Sequence, residues 1–83
     1  MIAHHMNTVY VIAVMTSLGC GAEVICLRAV EPDSTGQHAR TYATLDACIA
    51  VRDQLKAKDQ MDTGHARALR CVREDLALPY VKQ

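Results

Sequence analysis

The feature that most limits the fold of this chain is an apolar half made almost wholly of small side chains. Of 83 residues, 42 are apolar, including 12 Ala and 19 Leu, Ile or Val, but only 3 Tyr and no Phe or Trp. Aromatic side chains usually dominate core energetics, and a chain this short buries only a little over roughly 60% of its unfolded surface. We therefore expect one small domain that needs disulfides, a metal or a second subunit for stability.

The formal charge is balanced, with nine Lys plus Arg against nine Asp plus Glu. Domains that depend on phosphate contacts are usually strongly basic, so nucleic acid is the less favoured partner. A surface without net charge does not repel a second copy of the chain. We therefore expect a protein partner, and a homodimer is one form that this can take.

The N-terminal region raises the question of export. Residues 1–5 look like a vector-derived leader, so a single natural domain is predicted over residues 6–83. The apolar run 9–15, followed by Leu18-Gly19-Cys20, has features of an export signal, but no Lys or Arg precedes it. The run of about 10 residues is also shorter than the roughly 20 of a membrane span. The sequence therefore favours a cytoplasmic protein without a transmembrane helix, with export to the periplasm or medium as the alternative.

Two short segments predict a β-hairpin. Residues 9–15 are rich in Val and Ile, which is typical of a strand buried on both faces. Residues 23–30 alternate between an apolar and a partly polar side, and glycines between the two segments indicate a turn. Pro, Asp, Ser and Gly in residues 31–38 then predict a surface loop.

A helix is predicted from residue 45 to about residue 58. Thr44 has the chemistry of an N-cap, and Asp46 lies in the first turn, where the helix dipole favours a carboxylate. Helical spacing puts four apolar residues on one stripe: Leu45, Cys48, Val51 and Leu55. This stripe is expected to pack on the sheet.

Residues 65–78 have two interpretations. As a helix that ends before Pro79, the segment is amphipathic, with arginines opposite an apolar stripe. As a strand, it points Leu69 and Cys71 inward and completes a three-stranded sheet. Composition favours the helix, whereas a lone hairpin needs a third strand or a covering helix. The fold class is therefore α+β, a small antiparallel sheet packed on one main helix in the order ββαβ or ββαα.

The four cysteines are Cys20, Cys26, Cys48 and Cys71, and no Cys-x-x-Cys pair signals a redox motif or a zinc site. One interpretation is four small buried side chains with free thiols, as in the cytoplasm. The other is a disulfide from Cys48, which faces the sheet, to Cys71 or Cys26. A Cys48–Cys71 bridge would close a loop of about 24 residues and stabilise the fold by roughly 3 kcal/mol. Cys20, beside two glycines, is expected to be exposed.

Arg67, Arg70 and Arg73 form the candidate interaction surface. On a helix they make an exposed basic stripe that could meet an acidic protein face or phosphates. On a strand Arg70 points away from the other two, and the stripe is lost. A solvated face is the simpler interpretation. His38 and His65 lie in polar stretches beside turns, so no metal or cofactor site is predicted.

Three stretches resemble a group of known proteins: Glu23-x-Ile25-Cys26-Leu27, the helix opening from Tyr42 to Cys48, and residues 68–72. Over roughly residues 23–73 this pattern is similar to short cysteine-containing proteins of unknown function from alphaproteobacteria and their phages. The resemblance implies a ββαβ order with the last cysteine on a strand and, often, an exported, oxidised protein. The chain departs from it in lacking a basic leader. The resemblance implies no activity.

No motif indicates catalysis, since the sequence has no glycine-rich phosphate loop, no hydrolase elbow and no carboxylate pair in apolar surroundings. We therefore predict a non-enzymatic interaction module. The favoured function is inhibition of a host complex by a phage or mobile-element protein, in the size class of anti-CRISPR proteins. The alternative is an exported, disulfide-stabilised protein of the cell envelope.

Overall fold

The computed structural model describes residues 8–17, 19–21 and 26–82. The predicted leader, residues 1–5, and residues 23–25 of the second predicted strand lie outside the described residues. The described elements are the strands β1 Tyr10–Thr16, β2 Cys26–Ala29, β3 Arg70–Arg73 and β4 Ala77–Leu78, the helix α1 Leu45–Thr63, and a 3-10 helix at Glu74–Leu76. They make a small α+β fold, as predicted.

The strands form one mixed sheet in the order β3-β1-β2-β4. β1 pairs antiparallel with β2, with Ala13 opposite Ala29, so the predicted hairpin is confirmed. β1 also pairs antiparallel with β3, with Ile12 opposite Cys71. The central place of β1 explains its continuous apolar sequence, because a strand covered on both faces can carry apolar residues at every position.

Residues 65–78 do not form the helix that composition favoured. β3, the 3-10 helix and β4 occupy the second half of this segment, so the order ββαα is wrong. The physical reason lies in β1, whose backbone groups on the side away from β2 need hydrogen-bond partners, and β3 provides them. The parallel pairing of β4 with β2 was not predicted, and it makes the sheet mixed where an antiparallel one was expected.

The helix α1 begins where the sequence predicts. Thr44 is the N-cap, and its hydroxyl accepts a hydrogen bond from the Ala47 N–H at 3.1 Å. The helix ends at Thr63, beyond the predicted end near residue 58. Its end is set by Gly64, which has φ of 78° and donates its N–H to the Gln60 carbonyl at 3.0 Å.

The core lies between α1 and one face of the sheet, which we call the helix face. Ile12, Cys48 and Leu69 form its buried centre. Partly buried side chains pack around them: Tyr10, Val14, Val30, Tyr42, Val51, Leu55 and Cys71. Leu45, which spacing put on the inner stripe, is 42% exposed because it opens the helix at the margin of this core.

The opposite face of the sheet, which we call the second face, is buried at its centre as well. Val11, Ala13 and Ala29 lie on it, and each is at most 3% exposed. Short side chains on this face let other segments approach the sheet closely, and a cleft forms there beside His38 and Ala77. The molecule is thus covered by a helix on one face and by irregular chain on the other.

Candidate functional site

All four cysteines are paired. Cys48 is bonded to Cys71, with Cα atoms 6.0 Å apart, and Cys20 is bonded to Cys26, with Cα atoms 6.2 Å apart. The interpretation of four free thiols is therefore wrong for this structure. The Cys48–Cys71 pair is the one proposed from the sequence, whereas the second pair was missed and Cys20 is not a lone exposed thiol.

The Cys48–Cys71 disulfide links the helix to the sheet. Cys48 lies on the inner side of α1, fully buried, and Cys71 lies on β3 opposite Ile12. The link fixes the edge strand β3 against the helix, which begins only four positions before Cys48 at the Thr44 cap. It stabilises the fold both by closing a long loop and by filling the centre of the core.

The Cys20–Cys26 disulfide closes one end of the hairpin. Cys26 is the first residue of β2 and lies opposite Thr16, the last residue of β1. Gly19 and Gly21 flank Cys20, each with φ of 87°, a region of backbone conformation that favours glycine. The glycines on either side of Cys20 predict a turn. Cys26, six positions after Cys20, is the signal that could have predicted the disulfide across it.

The three candidate arginines do not form one stripe. Arg67 bonds Asp59 near the end of α1, with its Nε 2.8 Å from Oδ2. Arg73 bonds the carboxylate of Asp75 at 2.6 Å. Arg70 is exposed and has no ion-pair partner among the described residues. As a joint interaction surface, these arginines remain a prediction.

The register of β3 separates the arginines further. Arg73 lies opposite Tyr10 and therefore projects on the helix face, whereas Arg70 lies opposite Ala13 and projects on the second face.

Hydrogen bonds from Arg67 to Asp59 lower the pKa of that carboxyl, and a hydrogen bond from Arg73 does the same for Asp75. Two of the three positive charges are thus already compensated.

A cleft of about 240 Å³ opens on the second face. Val11, Ala29, Ala39 and Ala77 contribute apolar lining, and His38 and Glu74 contribute titratable groups. Small-molecule sites usually have about 300–1,000 Å³, so this cleft is small for a metabolite. Its size and mixed lining suit a single side chain of a protein partner.

A second, open pocket of about 330 Å³ is lined by Arg28, Arg67 and Tyr80. Both arginines make contacts within the chain: Arg67 with Asp59, and Arg28 through a hydrogen bond from Nη1 to the Pro79 carbonyl at 3.0 Å. Because both guanidinium groups already bind groups of the same chain, we assign no ligand to this pocket.

A partly buried tyrosine–carboxylate contact holds the loop beside the helix. The Tyr42 hydroxyl donates to Glu31 Oε1 at 2.5 Å, and Arg40 Nε lies 3.9 Å from the other oxygen of Glu31. Burial, together with the hydrogen bond to Glu31, raises the pKa of Tyr42 well above its ordinary value. Tyr42 also exchanges backbone hydrogen bonds with Tyr10, so this contact positions the start of α1 against β1.

Two further findings concern metals and membranes. Over residues 8–17, 19–21 and 26–82, no group of three or more His, Cys, Asp or Glu side chains is arranged to hold a metal ion. In the same part of the chain, no helix combines the length and apolar character needed to cross a bilayer.

Compared with known proteins, the chain matches no family model, no curated protein and no solved structure. The resemblance to cysteine-containing proteins of alphaproteobacteria and their phages therefore remains a prediction from residues 23–73.

Proposed function

We propose that this protein is a small, non-catalytic binding domain that works in an oxidising compartment, in the cell envelope or outside the cell. The observation that supports this proposal is the pairing of all four cysteines as two disulfides. Disulfides persist in the periplasm and outside cells, and they are rare in the cytoplasm, where thiols are kept reduced.

The composition of the core supports the same proposal. Cys48 is the one fully buried residue of α1, and it reaches β3 through its disulfide. Reduction would remove this link from a core whose buried centre otherwise consists of Ile12 and Leu69. A domain of this size depends on such staples for stability, so we expect the folded protein to require oxidation.

The cleft on the second face supports the binding role. It presents apolar surface from Val11 and Ala29 beside the titratable side chains His38 and Glu74. An apolar pocket with a few polar groups fixes both the affinity and the orientation of an inserted side chain. We propose that one side chain of a protein partner occupies it.

Inhibition of a host complex by a phage or mobile-element protein is the hypothesis that this proposal replaces. An inhibitor working in the cytoplasm, where thiols are kept reduced, would carry four free thiols. The two disulfides favour the alternative, an exported and disulfide-stabilised protein, and leave the identity of its partner to experiment.

The compartment is tested by comparing the protein produced with and without an export signal in a bacterium. Cells are quenched in acid, and free thiols are labelled in denaturant with a maleimide-polymer that shifts the mass. We expect no free thiol in the exported protein, and lower resistance to urea in the reduced cytoplasmic form. A reduced protein that resists urea as well as the oxidised one would contradict the proposal.

The binding role is tested with peptides displayed on phage and selected on the oxidised protein. Ala39→Phe fills the cleft, and Ala57→Phe places the same side chain on the exposed side of α1 as a control. We expect selected peptides to bind Ala57→Phe normally and Ala39→Phe at least roughly tenfold more weakly. Equal binding to both variants, or no selected peptide, would contradict the proposal.

A further inference from the structure

The strand β3 is an edge of the sheet, and its outer backbone groups are open. The Glu74 N–H donates to the Val9 carbonyl at 2.9 Å, so Glu74 faces β1. In an antiparallel ladder the backbone N–H and C=O groups of alternate residues point to the same neighbouring strand. Those of Val72 therefore also point to β1, whereas those of Cys71 and Arg73 point away from it. Across the described residues, nothing accepts from or donates to these outward backbone groups of Cys71 and Arg73.

Two unpaired charges of opposite sign lie on the same side of this edge. Arg70 and Glu74 are both exposed, and neither has an ion-pair partner in the part of the chain that the structure describes. Arg70 projects on the second face, and Glu74 lines the cleft on that face. The open backbone edge therefore carries a positive charge at one end and a negative charge at the other.

We propose that two copies of the chain pair antiparallel through β3 and form one continuous sheet across a twofold axis. Cys71 of each copy exchanges backbone hydrogen bonds with Arg73 of the second copy, and the two Val72 side chains meet at the axis. In this register Arg70 of each copy lies across from Glu74 of the other. Isologous pairing of this kind is the commonest form of dimer.

The charges select this register over its neighbours. A shift by two residues in one direction sets Arg70 against Val72 of the second copy, and a shift in the other sets Arg73 against its own equivalent. Only the proposed register turns both unpaired charges into cross-strand ion pairs. A balanced formal charge, nine basic against nine acidic residues, leaves no overall repulsion between copies. The dimer does not depend on the compartment proposed above. It shares Glu74 with the cleft, and Arg70→Glu, which leaves the cleft lining intact, separates the two proposals.

The backbone contact is tested with a matched pair of variants, Arg73→Pro and Arg73→Ala. Arg73 has φ of −60° and ψ of 140°, a conformation that proline adopts, so proline removes the outward N–H without bending the strand. Alanine keeps the N–H and removes the same side chain. By sedimentation equilibrium over roughly 10 µM to 1 mM, the range for a small interface, we expect the parent and Arg73→Ala to dimerise and Arg73→Pro to stay monomeric.

The ion pairs are tested by charge reversal. Arg70→Glu and Glu74→Arg each replace two attractions with two repulsions, so each should raise the dissociation constant roughly tenfold. The double variant again sets opposite charges across the axis and should recover the parent value. Lys56→Glu, on the exposed side of α1, is the control and should change nothing.

Circular dichroism melts of every variant establish that the fold is retained. A parent chain that stays monomeric at all concentrations would overturn the proposal. So would an Arg73→Pro variant that dimerises like the parent, or a double charge variant that recovers no affinity, since each would place the contact elsewhere.

Discussion

The two disulfides cross-link the molecule in different ways. Cys48–Cys71 joins residues 23 positions apart, on a helix and an edge strand, and Cys48 is fully buried. Cys20–Cys26 joins residues 6 positions apart at one end of a hairpin, and both are only partly buried. From loop closure alone, the long link is expected to stabilise the fold by about 3.4 kcal/mol and the short link by about 2.4 kcal/mol. The long link thus builds tertiary structure, whereas the short one supports a local turn.

Removing the long link should have the largest effect. Cys48→Ala combined with Cys71→Ala is expected to cost about 3–5 kcal/mol, because the loop is opened and core contacts are lost. That is a large share of the roughly 4–12 kcal/mol available to a domain of this length. Urea unfolding with the other disulfide intact measures the loss in the free energy of unfolding. A loss below about 1 kcal/mol would contradict the claim that the long link builds the tertiary structure.

Removing the short link should cost less. Cys20→Ala combined with Cys26→Ala is expected to lower the free energy of unfolding by about 2 kcal/mol, because only a short loop is opened. The packing of α1 on the sheet should persist, so the signals of Tyr10 and Tyr42 in near-ultraviolet circular dichroism should change little. A loss equal to that of the first double variant would show that the hairpin, and not the helix–sheet link, governs stability.

Loosening the start of α1 should separate the two links. Thr44→Ala removes the N-cap hydrogen bond to Ala47 and is expected to cost about 1 kcal/mol. The frayed first turn lies just before Cys48, so thiol reagents should reduce Cys48–Cys71 faster and Cys20–Cys26 at the parent rate. Thr44→Ser keeps the cap and is the control. If both disulfides were reduced faster to the same extent, the claim that the Thr44 cap protects Cys48–Cys71 in particular would be contradicted.

Acid should have the smallest effect. Hydrogen bonds from Arg67 hold the pKa of Asp59 below its ordinary value of 3.8. A lowered folded pKa contributes stability above the unfolded value, and this stability is lost as the pH falls through the folded value. We expect a small loss of stability below about pH 4 that Asp59→Asn reduces, since the ion pair is exposed and solvent screens it. Unfolding curves from pH 7 to pH 2 measure this loss, and an unchanged slope in Asp59→Asn would contradict it.

Local patterns were enough to predict the hairpin, the start of the helix and the inward position of Cys48. They failed for residues 65–78, where a period typical of a helix was overridden by the need of β1 for a second neighbour. The Cys20–Cys26 pair was missed because the distance across a turn follows from backbone angles at Gly19 and Gly21 that composition does not reveal.

The candidate site was harder to predict than the fold. The cleft collects Val11, Ala29, Ala39 and Ala77 from four separate segments, so no local pattern marks it. Arg70 was recognised, but its charge could be judged unpaired only after β3 had placed it apart from Arg67 and Arg73. Long-range pairing, which sets both features, is not encoded in the spacing of nearby residues.

The pairing of the cysteines is tested most directly by digesting unreduced protein with trypsin after alkylation. No Lys or Arg separates Cys20 from Cys26, whereas Cys48 and Cys71 fall in the separate peptides 41–52 and 71–73. Mass spectrometry should find 41–52 bonded to 71–73, and the peptide that holds Cys20 and Cys26 two hydrogens lighter than its reduced form. Alkylated cysteines, or a bond from Cys48 to the peptide of Cys20 and Cys26, would contradict the account.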